Sequence, residues 1–309
     1  MGQSAQPPVF LKVLLDYTMR PAKGAGGYSR VEHLYRTADS GWRAHRFIYP
    51  TMVPDAMYYL DDTAIRRLQG PFVSYYEGEA SQPGPLREQR YYRADTAEGR
   101  SYSWHRNGRM ASSVLLRRGL MTDTVRYWHE NGQLQQLGLL DTAGTGPLEA
   151  FYESGQRLQQ GSLLHGRKHG LWTVYDEQGH RTMTVQLAAD SVVSTTCFDS
   201  AGQPAKGPCI YEREANFSGG LLGWRRFLEQ NFQYPKEAIR NDIEGVVRFM
   251  LTVGTDGSVS DLEIVASPHP LLTSVVRRLM GRTPKWEPAI RFNKPVKTKA
   301  AQVVFFSLQ

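Results

Sequence analysis

Glycines recur through the middle of this chain at an almost constant interval, and this interval restricts the fold more than any other feature. Successive members are separated by 24, 24, 23, 24 and 23 residues: Gly84, Gly108, Gly132, Gly155, Gly179 and Gly202. Aromatic, strand-like segments precede them, as in Tyr102 to Trp104 and Tyr127 to Trp128. A constant period of this length is typical of stacked supersecondary units, none of which can bury an apolar face alone. Short strands joined at Asn-Gly or Ser-Gly turns form hairpins, so the period predicts hairpins that pair side by side in one long antiparallel sheet.

The repeated segments are similar to the MORN-type repeat in its bacterial variant, whose unit is roughly Gly-x-Trp-x-x-Tyr-x-x-x-Gly followed by a second strand. The copy from Lys168 to Gly179 matches best. Gly144 to Phe151 has leucine in place of tryptophan, and Val192 to Phe198 lacks the leading glycine. The resemblance covers about 70–210. Aromatic segments of irregular spacing before it are interpreted as a divergent start to the same sheet.

Residues 216–309 have a different pattern, which predicts a small α+β unit. Apolar spacing indicates a helix from Leu221 to Asn231, and strict alternation after Gly245 indicates a strand. Asp256-Gly257 then suits a tight hairpin, because both central residues of a type I′ turn need positive φ. The remaining elements complete a predicted order of helix, hairpin, helix and strand: Val259 to Ala266, Leu271 to Met280 and Thr298 to Leu308.

This order, together with a set of short motifs in register, resembles the C-terminal domain of the TonB family of energy-transducing proteins. The matching pieces are Tyr234-Pro235-Lys236-Glu237-Ala238, Gly245-Val246-Val247, Asp256-Gly257-Ser258-Val259, Pro284-Lys285-Trp286-Glu287-Pro288-Ala289 and Lys294-Pro295-Val296. Two loop positions depart from the family pattern. Ser218 stands in place of the usual proline, and Phe292-Asn293-Lys294 replaces the usual Asn-Gly turn. The resemblance implies the family's fold for 216–309.

The resemblance also implies a binding site. In the TonB family the edge of the corresponding last strand takes up a short extended segment, the TonB box, from the plug of an outer-membrane transporter. An unpaired edge offers main-chain N–H and C=O groups for such strand addition. Carried over to this chain, the implied partner-binding residues are Tyr234, Pro235, Gln302, Val303, Val304, Phe305, Phe306 and Ser307. One alternating set, either Val303 with Phe305 or Val304 with Phe306, is expected to belong to the core.

No segment of the sequence reaches the 18 or so apolar residues that a membrane-spanning helix needs. The longest candidate, Val9 to Leu15, contains Lys12. TonB-type transducers carry an N-terminal membrane helix and a proline-rich arm, and neither pattern is seen here. The opening Met1 to Gln6 is interpreted as a start placed on a processed chain whose signal peptide has been removed; the alternative is a cytoplasmic protein that begins there. Signal peptide, MORN-variant repeats and a terminal TonB-like domain together resemble secreted proteins of Bacteroidetes-type bacteria, which implies the periplasm or cell envelope.

Two cysteines, Cys197 and Cys209, lie on either side of a turn-like segment from Asp199 to Pro208. A hairpin centred near Gln203 would place the two thiols opposite each other and allow a disulfide. An oxidising compartment would permit this bond. Two buried thiols are the alternative, and the spacing of the cysteines is not a metal motif.

Positive charge is concentrated at the C-terminal end. Of the formal net charge of +7, residues 217–309 contribute +5, from 13 Lys and Arg against 8 Asp and Glu. Several cations lie close together in sequence: Arg277, Arg278, Arg282, Lys285, Arg291, Lys294, Lys297 and Lys299. They either form a patch for an acidic partner or a membrane surface, or lie on a solvated face. Aromatic residues do not interleave with them as in nucleic-acid motifs, so no nucleic-acid partner is expected.

The sequence offers little for catalysis or metal binding. His105 and His129 occupy equivalent repeat positions, so their recurrence follows from the repeat rather than from a metal site. The glycine-rich segment Gly161 to Gly170 lacks the Gly-Lys-Ser/Thr ending of a phosphate loop, and a Gly-x-Ser-x-Gly elbow is absent. We therefore expect neither enzyme activity nor a metal or cofactor.

Two functional hypotheses follow for a chain divided into a divergent β region (1–69), a MORN-like repeat sheet (70–215) and a TonB C-terminal-like domain (216–309). The first is a periplasmic TonB-like protein that binds transporter plug segments, with an inner-membrane motor complex as a further partner if it transduces energy. The second is an envelope adaptor whose repeats bind protein, glycan or lipid without energy coupling. Exposed edges of a long sheet also make a homodimer an alternative to a monomer.

Overall fold

The computed structural model describes residues 11–16, 28–36, 41–48, 53–60, 67–78 and 82–308. The prediction for Met1 to Gln6 lies outside the described residues. Two compact units are present: the first comprises Met1–Ser194 and Ser200–Gly202, and the second Thr195–Asp199 and Gln203–Gln309. In the described part of the chain, no helix combines the length and apolar character that crossing a membrane requires.

The first unit is an antiparallel sheet. Its N-terminal strands are β1 (Leu11–Asp16), β2 (Tyr28–Arg36), β3 (Trp42–Ile48), β4 (Val53–Leu60) and β5 (Leu68–Tyr75). The repeat strands are β6 (Leu86–Arg93), β7 (Thr96–Ala97), β8 (Gly99–Trp104), β9 (Met110–Arg117), β10 (Leu120–Trp128), β11 (Leu134–Leu140), β12 (Gly146–Phe151), β13 (Arg157–Leu164), β14 (Arg167–Tyr175), β15 (Arg181–Ala188) and β16 (Ser191–Cys197), within which the boundary between the units falls.

Strand order in this sheet follows chain order among the described residues, and only the short β7 lies off the path, paired with β6. The predicted sheet of successive hairpins is therefore confirmed. The sheet continues from β4 through β5 to β6, so the predicted division at 69/70 falls inside a strand. Whether the hairpins are MORN repeats stays a prediction.

Most of the periodic glycines occupy the hairpin turns. Four have φ between 82° and 90°, which residues with a side chain rarely adopt: Gly108, Gly132, Gly155 and Gly179. Each of these four donates its N–H to the carbonyl oxygen three residues earlier, over 2.8–3.0 Å. Gly84 differs, since its φ lies outside this region and a Cβ there would be 2.4 Å from Tyr76 O. Close approach of two backbones, not a turn conformation, requires glycine at the start of the series.

Side chains that precede the turns link neighbouring repeats. A histidine or tyrosine donates to the main-chain oxygen of the aromatic residue in the next repeat: Tyr76 Oη to Trp104 O (2.9 Å), His105 Nε2 to Trp128 O (2.7 Å), His129 Nε2 to Phe151 O (2.9 Å) and Tyr152 Oη to Tyr175 O (2.9 Å). The recurrent histidines thus have a structural role that tyrosine can also fill.

Large side chains lie over glycines of the adjacent strand. Trp172 in β14 is fully buried, and its ring fills the space beside Gly161 in β13, where a Cβ would lie 2.2 Å from the ring. Leu148 in β12 covers Gly138 in β11, where a Cβ would lie 2.8 Å from the leucine. The tryptophan of the best-matching repeat is therefore a core residue whose position depends on a glycine partner.

The second unit is the α+β part. Its further elements are β17 (Glu212–Arg213), α1 (Gly220–Asn231), α2 (Lys236–Arg240), β18 (Gly245–Val253), β19 (Val259–Ala266), α3 (Pro270–Met280), β20 (Ala289–Arg291), β21 (Lys294–Val296) and β22 (Thr298–Phe306). The predicted order of helix, hairpin, helix and strand corresponds to α1, β18 with β19, α3 and β22. The structure adds the short α2, which contains the Lys-Glu-Ala part of one motif, and a small sheet in the order β17, β20, β21.

One hydrophobic core joins the helices of this unit to its larger sheet. Alternate residues of β18, including Phe249 and Leu251, point into it and meet Leu272 and Val276 of α3. Trp286 is buried in the same core. Period-two alternation on the strand and a period near 3.6 on α3 produce two apolar faces that cover each other.

A tight turn joins β20 to β21 without the glycine that the family pattern has. Phe292 and Asn293 both adopt left-handed φ values, of 51° and 63°. Their N–H groups donate to Tyr211 O and Ile210 O, each over 2.7 Å. These hydrogen bonds to a segment distant in sequence stabilise a backbone conformation that the local residues disfavour.

A disulfide joins Cys197 to Cys209, whose Cα atoms are 5.6 Å apart. The turn between the two cysteines differs from the predicted one. Asp199 N–H donates to Gln203 O (2.9 Å), and Ala205 N–H donates to Cys197 O (2.8 Å). The turn is therefore centred two residues earlier than expected. The segment that then brings Cys209 back to Cys197 is irregular and is not a strand paired in register.

Candidate functional site

The last strand lies at the edge of a three-stranded antiparallel sheet. Sheet order is β19, β18, β22, and β22 pairs with β18 along its whole length without a register shift. No other described strand pairs with β22. One row of its main-chain N–H and C=O groups is therefore available for hydrogen bonding.

The β18–β19 hairpin shows which residues of β22 direct main-chain groups to the free edge. Gly254 N–H donates to Ser258 O across the β18–β19 turn (2.8 Å), so even-numbered residues of β18 direct their main-chain groups to β19, and odd-numbered residues direct theirs to β22. Odd-numbered Val247 lies opposite Val304, whose main-chain groups therefore point back to β18. The residues of β22 that direct main-chain groups to the free edge are Lys299, Ala301, Val303 and Phe305.

Side chains of β22 alternate between the core and the opposite face of the sheet. Val304 and Phe306 are 2% and 3% exposed, whereas Phe305 is 70% exposed. The core set left open by the sequence is therefore Val304 with Phe306. Gln302 has the same main-chain orientation as Val304, and Ser307 follows the end of the strand.

A cleft of about 610 Å³ opens between the free edge and α1. Its lining is almost entirely apolar: Leu221, Trp224, Leu228, Glu229, Phe232, Gln302, Val303, Val304 and Phe305. Leu221 is 81% exposed, while Trp224 and Leu228 pack in part against the core. Residues at i, i+3 and i+7 share one face of a helix, so α1 presents an apolar stripe to the edge. The helix was predicted from the sequence, but its part in a binding site was not. The i, i+3, i+7 spacing of its apolar residues was the signal that could have indicated it.

A smaller pocket of about 220 Å³ follows the other half of the edge. Its lining residues are Glu214, Ala215, Thr298, Lys299, Ala300, Ala301 and Gln302. The Glu214 carboxylate accepts a hydrogen bond from Arg291 Nη2 (2.7 Å). The free edge is therefore bordered by apolar side chains at one end and by a more polar surface at the other.

Tyr234 and Pro235 are not among the residues that line the cleft. Tyr234 Oη donates to Ile243 O (2.6 Å), and its ring lies edge-on to Phe306 with centroids 5.8 Å apart. Burial raises the pKa of the Tyr234 hydroxyl, and the nearby Glu244 carboxylate raises it further. Pro235 is the N-cap of α2. Tyr234 thus contacts the end of β22 through the Phe306 ring, whereas Pro235 begins the helix that follows.

The basic residues of this unit do not form a single uncompensated patch. Lys285 Nζ lies 2.9 Å from Asp256 Oδ2, and Lys299 Nζ lies 3.7 Å from Glu263 Oε2. The Ser258 hydroxyl, followed by the Lys285 ammonium, holds the pKa of Asp256 well below its usual range. Three of the eight cations, Lys285, Arg291 and Lys299, are thus paired with carboxylates among the described residues, and both sequence interpretations of this basic segment stay predictions.

Comparison with known proteins identifies the C-terminal part of the chain. Residues 230–308 match the family model of the Gram-negative bacterial TonB protein C-terminal. Protein TonB of Pseudomonas aeruginosa is 30% identical over 77 residues, which cover 25% of this chain and 22% of that protein. This chain therefore spans less than a quarter of the length of that relative. We call 230–308 the TonB-like segment.

The TonB-like segment contains the whole three-stranded sheet and the free edge, since β18, β19 and β22 all lie within it. The predicted resemblance to the TonB C-terminal domain is confirmed for these residues. Most of α1 precedes the segment, because only its last two residues fall inside the match. The wall of the cleft that α1 forms therefore lies mostly outside the residues that match the family model.

Proposed function

We propose that this protein binds an extended partner segment by strand addition to the free edge of β22. The observation that carries the proposal is the unpaired row of main-chain groups on four residues of a TonB-like strand. The partner is a segment such as the TonB box from the plug of an outer-membrane transporter, and the location is the periplasm or cell envelope. Coupling to an inner-membrane motor complex would make the protein an energy transducer and belongs to the same proposal.

Main-chain pairing alone would give weak binding. Each of the four edge residues offers one N–H and one C=O, so full pairing forms up to eight hydrogen bonds. At about 0.5–1.5 kcal/mol net for each bond they give about 4–12 kcal/mol, and the loss of translational and rotational freedom on association, about 4–15 kcal/mol, offsets most of this. A millimolar complex already needs about 4 kcal/mol, and a micromolar complex about 8 kcal/mol. Burial of apolar side chains at about 25 cal/mol per Å² has to supply the difference. The cleft beside the edge is positioned to provide it.

Titration calorimetry of the chain with a TonB-box peptide tests the proposal. We expect micromolar binding, loss of binding in Val303→Pro, and near wild-type binding in Val303→Thr. Proline removes an N–H that faces the free edge, and edge strands tolerate proline at such positions; threonine keeps the N–H and is similar in shape. A proline at Val304 would be uninformative, because it breaks pairing with β18. The proposal fails if no heat is detected at high micromolar concentration, or if Val303→Pro binds as tightly as the parent chain.

The long antiparallel sheet of the first unit favours a second candidate, an envelope adaptor whose repeats bind protein, glycan or lipid without energy coupling. The faces of this sheet offer a surface for binding that does not depend on β22. Cross-linking in envelope fractions separates the two candidates. Partners lost in Val303→Pro belong to the edge of β22, and partners retained in that variant support the adaptor.

A further inference from the structure

We propose that the captured segment must insert a large apolar side chain into the cleft between α1 and β22. This inference rests on strand addition at β22 and adds a sequence requirement to it. Main-chain hydrogen bonding accepts almost any extended segment, so selectivity has to come from side-chain pockets beside the edge. The cleft is such a pocket, and it lies along the half of β22 from Gln302 to Phe305.

The cleft lies on the core side of the sheet. Trp224 and Leu228 belong to the same hydrophobic cluster as Val304 and Phe306. In a strand paired with β22, every second side chain projects to that side of the sheet. Those side chains would enter the space against α1, whereas the intervening ones would lie beside exposed Phe305 on the opposite face.

Composition of the cleft sets the chemical class of the side chain that fits. Its lining has one charged residue, Glu229, and no ion pair joins this carboxylate to a cation among the described residues. A carboxylate on the captured segment at this position would lose hydration next to another negative charge. Leucine, isoleucine, methionine or phenylalanine would instead bury apolar surface against Leu221 and Leu228. Serine or aspartate at the same position is disfavoured.

The requirement is confined to one half of the captured segment. Beside residues 298–302 the pocket is smaller and is bordered by Glu214 and Lys299. Small or polar side chains are compatible with that half. A segment with apolar residues at one end and polar residues at the other therefore matches the edge.

Two acetylated peptides test the inference on the full chain: Lys-Thr-Leu-Thr-Leu-Thr-Lys and the matched Lys-Thr-Ser-Thr-Ser-Thr-Lys. We expect the leucine peptide to bind at least about tenfold more tightly, as burial of one leucine side chain allows. In Leu221→Glu this preference should fall to about threefold or less. Leu222→Glu is the control, because Leu222 is 66% exposed, adjacent in the first turn of α1, and not part of the lining. A glutamate in the first turn stabilises a helix, so neither variant should unfold α1.

Each outcome has a separate meaning. Equal binding of the two peptides, with loss of both in Val303→Pro, overturns the inference and leaves strand addition intact. Absence of binding by either peptide and by a TonB-box peptide overturns strand addition and the inference together. A leucine preference that survives in Leu221→Glu also overturns the inference, since the side chain would then contact the opposite face near Phe305.

Discussion

Replacement of Gly161 by alanine tests how the repeat sheet is packed. An alanine Cβ at this position would lie 2.2 Å, 2.4 Å and 2.5 Å from three ring carbons of Trp172. Carbon atoms in contact normally lie about 3.5–4.0 Å apart, so the ring has to move by more than about 1 Å. Trp172 is fully buried and lies opposite Val185 of β15, and such overpacking costs about 1–3 kcal/mol.

A smaller term of opposite sign accompanies this strain. The φ of Gly161 is not in the left-handed region, so alanine restricts the unfolded chain and by itself stabilises by about 0.4–1 kcal/mol. We expect a net loss of about 1–2 kcal/mol in the free energy of unfolding. For a unit of this size that corresponds to a decrease in Tm of roughly 2–8 °C. Urea unfolding followed by far-UV circular dichroism measures the change.

A double-mutant cycle isolates the contact between the two residues. Trp172→Val removes the ring, so Gly161→Ala should cost little or should stabilise in that background, and the coupling should exceed about 1 kcal/mol. If Gly161→Ala is as stable as the parent chain, or equally destabilising with and without the tryptophan, the packing argument is wrong.

Three further outcomes are expected in the second unit. Replacement of Cys197 and Cys209 by serine should lower its free energy of unfolding by about 3 kcal/mol, from the loop entropy of a short cross-link, and dithiothreitol should produce the same loss in the parent chain but none in the variant. Asp256→Asn should lower Tm at neutral pH, and the difference should shrink as the pH falls below the unfolded-state pKa near about 4, because a carboxylate with a depressed folded pKa stabilises only while it is ionised. Tyr234→Phe should cost about 0.5–1.5 kcal/mol in urea unfolding through the lost hydrogen bond to Ile243 O, whereas an unchanged value would show that the hydroxyl bonds equally well to water.

Local sequence signals predicted much of this molecule. The glycine period indicated hairpins in sequence order, because a turn with positive φ recurs wherever the chain must reverse at a fixed strand length. Alternation after Gly245 and the Asp256-Gly257 pair predicted β18 and β19. The expected type I′ turn was wrong, because Gly257 has a positive φ of 82° and Asp256 does not. Gly84 did not follow the pattern, since its role depends on a nearby backbone segment that a period cannot reveal.

The sequence predicted the site as one strand, and the tertiary structure shows which of its residues belong to the core and which face the free edge. Both alternating sets of β22, Val303 with Phe305 and Val304 with Phe306, are apolar. The sequence therefore indicated that one set is buried without indicating which one. Packing of α1 and α3 on one side of the sheet selected Val304 and Phe306 for the core. Pairing with β18 then directed the main-chain groups of Val303 and Phe305 outwards. Sequence thus determined elements and their periods, which depend on neighbouring residues, whereas the free edge and its cleft were decided by contacts between elements distant in the chain.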